Sequence, residues 1–149
     1  MIYTNTDSEI KKREGMSRWM KDYSLTEIGK DWDYCVGLSY RGKMLQTQTA
    51  KKCWINLYSD LHRIDNSIYG FVVDELDEMG IGIHHHLIIG SKLDLNTFSK
   101  TVSSNWDRRG MNWVDRYVRN NKWDIVDYMC KHIGKTDKNV FDIFNQNSL

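Results

Sequence analysis

The run Gly80-Ile-Gly-Ile-His84-His85-His86-Leu-Ile-Ile-Gly90 constrains this chain more than any other stretch. It is short, rich in β-formers and bounded by glycines, so it reads as a strand spanning 81–89. On a strand successive side chains point to opposite faces. His84 and His86 therefore share one face, and His85 points the other way with Ile81, Ile83, Leu87 and Ile89. Two imidazoles two residues apart can grip one metal ion, and an acidic residue from a neighbouring strand can complete the site. The pattern predicts a metal-dependent enzyme whose nucleophile stands elsewhere in the chain. His85, among four aliphatics, reads as a hydrogen-bonded core histidine.

The rest of the chain supplies a frame for that strand. At 149 residues it is expected to form one domain, 1–149, with a core of useful size. Residues 1–30 are polar and basic and read as a short helix or a mobile arm. Trp32 to Tyr40 alternates at period two and predicts a strand, turned at Arg41-Gly42-Lys43. Ala50, Trp54, Leu57, Leu61 and Ile64 repeat at helical spacing over 46–64. Ser67–Glu75 reads as a second strand, and Gly80 and Gly82 mark a tight turn before the histidines. Asp94 can cap a helix bearing Leu95, Phe98, Val102 and Trp106, and 114–118 suits another strand. Asp124 caps a last helix running to about Ile133 and ended by Gly134. The order predicts an α+β fold, a ferredoxin/RRM-like sandwich with a central, mainly antiparallel sheet and flanking helices.

Charge excludes a globally basic nucleic-acid binder, since the net charge is only +1. Its distribution is more telling. Residues 100–138 hold nine Lys/Arg against five Asp, while Asp74, Glu75, Asp77 and Glu78 cluster without a basic neighbour in 71–78. A basic third beside a compact acidic cluster suits a phosphate-binding surface next to a divalent-cation site, although ordinary surface charge gives the same pattern. Cys35, Cys53 and Cys130 form no CxxC pair and indicate neither a disulfide framework nor a thiolate zinc site. No signal pattern or long apolar run is present, so a soluble intracellular protein is expected.

If Met79-Gly80 is a two-residue hairpin turn, Glu75 falls opposite His84, close enough for both to reach one ion. Glu75, His84 and His86 then form a set of two imidazoles and one carboxylate suited to Mn²⁺ or Mg²⁺. Other registers bring in Asp74 or Asp77 instead. The nucleophile candidate is Tyr128 in Asp127-Tyr128-Met-Cys-Lys131-His-Ile-Gly-Lys135. On a helix Tyr128, Lys131 and Lys135 line one side and Ile125, Met129 and Ile133 another. Phenols are weak nucleophiles at neutral pH, but an adjacent ammonium favours the phenolate and can neutralise charge on a phosphate. The spacing Tyr-x-x-Lys also occurs at Tyr40-Arg-Gly-Lys43, so it gains meaning only from its helix and its place after the histidine strand.

Taken in order, Phe71-Val-Val-Asp-Glu75, a glycine turn, His84-His-His86-Leu-Ile-Ile and Asp127-Tyr128-Met-Cys-Lys131 resemble the motifs of the HUH endonucleases, specifically the rolling-circle replication initiators (Rep proteins) of small viruses, phages and plasmids. The resemblance spans roughly residues 32–136. A tyrosine after the histidine motif separates the chain from relaxases, and Lys131 favours Rep over the single-tyrosine transposases, which usually carry glutamine there. The resemblance implies a five-stranded sheet and a metal-dependent nuclease that cuts single-stranded DNA at a replication origin. Tyr128 would attack the scissile phosphate and stay joined to the 5′ end, with Lys131 as its catalytic partner and His84, His86 and Glu75 as ligands of Mn²⁺ or Mg²⁺. Such an exchange of phosphodiester bonds needs no ATP, and no Gly-rich phosphate loop is found. A host or separately encoded helicase and polymerase are then expected, in the host cell cytoplasm, with no membrane.

DNA contact is expected from Arg41, Lys43, Arg108, Arg109 and Lys135. Arg108, Arg109, Arg116, Arg119 and Lys122 interleave with Trp106, Trp113, Tyr117 and Trp123, which suits either base stacking or a core. A single acting tyrosine leaves a homodimer open, since two joined strands need two protomers or two rounds on one. Two other readings compete: a single-tyrosine transposase, and a non-catalytic RRM-like nucleic-acid-binding module whose histidines hold a structural metal.

Overall fold

The computed structural model describes residues 7–44, 46–76, 82–131 and 141–144. Its elements are α1 (Asp7–Tyr23), β1 (Tyr34–Leu38), α2 (Thr47–Ile64), β2 (Tyr69–Leu76), β3 (Ile83–Gly90), α3 (Leu95–Trp106), β4 (Asn112–Arg116), α4 (Ile125–Met129) and β5 (Phe141–Phe144). A π-helical turn, Ser24–Ile28, continues α1 and ends at Gly29, whose φ of +88° is the left-handed cap that glycine allows. The strand order is β4-β1-β3-β2-β5, and every pairing is antiparallel. The fold is α+β, an antiparallel sheet with flanking helices. Among the described residues no helix is long and apolar enough to cross a membrane.

Strand parity divides the core in two. Tyr34, Val36 and Leu38 of β1, Val72 of β2, and Leu87 and Ile89 of β3 meet α2 and α3 through Trp54, Leu57, Leu61, Phe98, Val102 and Trp106. Cys35, Phe71, Val73 and Ile88 point the other way, onto Met20 of α1 and Val126 and Met129 of α4. Trp32 was expected to share a face with Tyr34. It packs instead with Cys35 and Phe71, because the strand starts only at Tyr34 and the residues before it are free of the alternation. Its indole N–H donates to the Met20 carbonyl at 2.8 Å and so anchors α1.

One further expectation is decided and two are corrected. Of the two alternatives for the N-terminal residues the helix holds and the mobile arm does not: residues 7–23 are a 17-residue helix with Ser17, Met20 and Lys21 buried. The apolar positions of this helix are sparse, so the sequence signal was weak. The strand expected at 114–118 lies two residues earlier, and Tyr117 leaves it to pack into the core. The helix after Asp124 ends at Met129, and Lys131 sits in a turn, its N–H donating to the Tyr128 carbonyl at 3.2 Å. Ile133, Gly134 and the glycine turn at 80 lie outside the described residues. So does Lys135.

One carboxylate locks the sheet end of α2. Asp65 is buried and accepts bonds from Ser67 N (3.0 Å), Ser67 Oγ (2.5 Å), Ser91 Oγ (2.7 Å) and Lys92 N (2.8 Å). Burial alone favours the neutral acid, but the four bonds outweigh it and hold the pKa below that of an ordinary aspartate. With the folded pKa below the unfolded one, Asp65 stabilises fully above about pH 4, and the stabilisation is lost as pH falls through the folded value. Asp65→Asn is expected to cost about 2 kcal/mol at neutral pH and to flatten the acid branch of stability against pH. Thermal melts of both proteins from neutral pH to about pH 3 check this. Parallel acid branches would assign the pH dependence to other groups.

Candidate active site

The register of β2 and β3 builds the site. Glu75 pairs directly with His84, Val73 with His86 and Asp74 with His85. Glu75, His84 and His86 therefore share the face that α1 and α4 cover in part, while Asp74 and His85 face α2 and α3. The alternative in which Asp74 joins His84 and His86 is thereby set aside by parity. Asp77 lies outside the described residues.

Glu75 is the hub. Its Oε2 accepts from His86 Nε2 at 2.7 Å, and its Oε1 meets Lys131 Nζ at 2.7 Å. Burial opposes the charged carboxylate, yet the bonds from Lys131 and His86 outweigh it and hold the Glu75 pKa below the ordinary glutamate value. Burial is also the largest influence on His86, and it pulls the imidazole pKa down against the pull of Glu75. His86 is accordingly neutral at physiological pH. With Nε2–H given to Glu75, its Nδ1 carries the lone pair. That Nδ1 is buried and has no hydrogen-bond partner among the described residues.

Tyr128 joins from α4. Its ring meets His86 edge-on with centroids 5.5 Å apart, and the Lys131 ammonium stands 3.7 Å from the ring centroid. Burial works against the Lys131 charge, but Glu75 and Tyr128 outweigh it, so its pKa lies above the ordinary lysine value and the ammonium persists through neutral pH. Tyr128 itself is 38 % exposed, so it is reachable from solvent. The i to i+3 turn that ends α4 keeps Lys131 beside Tyr128, where a longer helix had been expected to do so.

By type and by face, His84, His86 and Glu75 are donors that a divalent cation accepts, but Glu75 sits on His86 Nε2 while the unpartnered nitrogen of that ring is Nδ1, so a shared ion would require Glu75 to give up its bond to His86. Among the described residues no three His, Cys, Asp or Glu side chains are already drawn around one point. Glu75 is engaged with Lys131 and His86 instead.

His85 is wholly buried, in keeping with the expected core histidine. Nδ1 donates to Asp74 Oδ1 at 2.6 Å, and Nε2 accepts from the Tyr40 hydroxyl at 2.7 Å. Burial pushes the Tyr40 phenol far up, so it remains a donor. Tyr40, the second tyrosine of a Tyr-x-x-Lys pair, is thus a core fastener.

Of the residues expected to contact DNA, Arg41, Lys43 and Arg108 are exposed. Arg41 also donates to the Asp107 carbonyl at 2.8 Å. Arg109 is occupied by Asn105 and Asn56 and lies over Trp106, which is core. Tyr117 is buried and donates to Asp124 at 2.6 Å, and Arg119 holds Asp31 and Asp22. Trp113 and Trp123 are exposed.

The sequence reading missed the support of α4. Lys21 is buried against Asp127, with Asp124 Oδ2 at 3.7 Å and the Asn120 carbonyl at 3.2 Å. Ser17 donates to Asp127 Oδ1 at 2.5 Å. Asp124 and Asp127 form a reciprocal capping box at the start of α4. These groups fix the helix that presents Tyr128. An Asp-x-x-Asp pair was visible in the sequence, but its partners lie over a hundred positions away in α1.

The chain matches no known family model, no curated protein and no solved structure.

Proposed function

We propose that the chain is a site-specific nickase and ligase of single-stranded DNA, of the rolling-circle replication initiator kind, working through a covalent 5′-phosphotyrosine. The observation that carries this reading is the convergence of Tyr128, Lys131, Glu75, His84 and His86, from three separate segments, on one face of the sheet. The β1-α2-β2-β3-α3-β4 succession with strand order β4-β1-β3-β2 supports the ferredoxin-like form of the fold.

In this reading the Tyr128 phenol loses its proton to water as its oxygen attacks the scissile phosphorus, the P–O3′ bond breaks, and the leaving 3′ oxygen takes up a proton from water. Lys131 sets the phenol and neutralises charge that develops on the phosphate. Glu75 holds Lys131 and His86 in place. A Mn²⁺ or Mg²⁺ ion held by His84, His86 and Glu75 would supply charge neutralisation at the phosphate oxygens. Reversal by the 3′-OH restores the strand without ATP. An origin in single-stranded form, a separate helicase and polymerase, and a host cytoplasm complete the proposal.

The test is incubation with a pool of single-stranded oligonucleotides and Mn²⁺, with a chelator control, followed by denaturing electrophoresis. A metal-dependent, SDS-stable shift of the protein is expected. Binding without any shift across the pool would overturn the reading and favour a non-catalytic nucleic-acid-binding module.

A further inference from the structure

The sheet row through His86 continues to an exposed tryptophan. Val73, His86, Gly37 and Trp113 are successive cross-strand partners on β2, β3, β1 and β4. Gly37 follows Cys35 on the α1/α4 face, so Trp113 shares the face of His86. Its indole lies across β1: a Cβ at Gly37 would stand 2.0 Å from Trp113 Nε1 and 2.2 Å from Cε2. The ring therefore fills the place of a Gly37 side chain and reaches from the sheet edge to within one strand spacing, about 5 Å, of the histidine strand. It remains 43 % exposed. The exposed part of the indole is planar aromatic surface on which another planar group can stack.

We propose that Trp113, seated on Gly37, is a stacking platform for one unpaired nucleobase of a DNA single strand that runs over the sheet face past His86 and Tyr128. The proposal rests on the single-stranded DNA reading of that site and names a base subsite for it. Three features favour this occupant. The indole lies in one row with His86, so a base upon it is joined by the backbone to a phosphate at the site. Arg41 and Lys43 after β1 and Arg108 before β4 are exposed at the same end of the sheet, which suits a polyanion. Stacking on an indole face accepts any base and needs no groove.

The experiment measures binding of fluorescein-labelled oligothymidylate and of a mixed-sequence single-stranded pool by anisotropy, without added metal so that no cleavage intervenes. Trp113→Val, which keeps a strand-forming residue, is expected to weaken binding at least about fivefold, while Trp113→Phe keeps most of the affinity. Gly37→Ala, which retains Trp113 but displaces its ring, is expected to weaken binding to a similar degree. Unaltered thermal melts confirm that each variant is folded. Equal affinity of Trp113→Val and wild type would overturn the platform even if the Tyr128 adduct forms. Trp113-dependent binding without any adduct would uphold the platform and sink the nuclease reading.

Discussion

Lys21→Ala is expected to cost about 3 kcal/mol or more of folding stability. The ammonium is buried between α1 and α4 with Asp127 against it and Asp124 at 3.7 Å. Removing one partner of such a pair leaves a carboxylate facing a low-dielectric interior, which costs about 3–5 kcal/mol, far more than a surface pair is worth. Asp127 has other partners, namely Ser17 Oγ and the Asp124 N–H, so its charge is not wholly abandoned, and the lower end of that range is the better figure. Burial pushes the Asp127 pKa up, but Lys21 and Ser17 outweigh it and hold it below the ordinary value. Without Lys21 the acid branch of stability should therefore become shallower. The double variant Lys21→Met with Asp127→Asn removes both charges at similar volume and is expected to recover much of the loss. Urea unfolding of the wild type, Lys21→Met, Asp127→Asn and their double variant gives the coupling directly. A loss below about 1 kcal/mol for Lys21→Ala would mean that water reaches this pair and that α1 is not the anchor of α4.

That anchor explains what could and could not be read from the chain. The histidine strand, its parity and its register with Glu75 follow from period two and one hairpin assumption, and β3 pairs as expected. Asp94 caps α3 through Thr97 N as its position announced. Such features are local: a few neighbours decide them. The role of α1 is not local. Its apolar positions are few, and its value lies in Lys21 and Ser17 meeting residues of α4 more than a hundred positions on. A lysine that will be buried looks the same in sequence as one that will be solvated. The tryptophans divide for the same reason: Trp106 is core and Trp113 lies on a glycine of another strand, and only the sheet order decides which. The strand at 141–144 went unread because four residues are too few to show a period.

Tyr128→Phe is expected to abolish the covalent adduct, with a rate loss of at least roughly 10³-fold, and to leave the fold and DNA affinity nearly unchanged. The separation of effects follows from the geometry. The phenyl ring keeps the edge contact with His86 and its place beneath the Lys131 ammonium, since both involve the ring. Tyr128 is also exposed, so losing its hydroxyl should move stability by no more than about 0.5 kcal/mol. Only the attacking oxygen is removed. Lys131→Met makes the complementary test. It keeps length and bulk but deletes the charge shared between Tyr128 and Glu75, and it should slow adduct formation by about 10²-fold without abolishing it. A nucleophile and a charge-stabilising neighbour are distinguished by this difference in degree. If the phenylalanine protein still formed an SDS-stable adduct, another residue would be the nucleophile. If both variants lost binding together, Tyr128 and Lys131 would be contact residues of a binding surface, and chemistry would have to be sought elsewhere or given up.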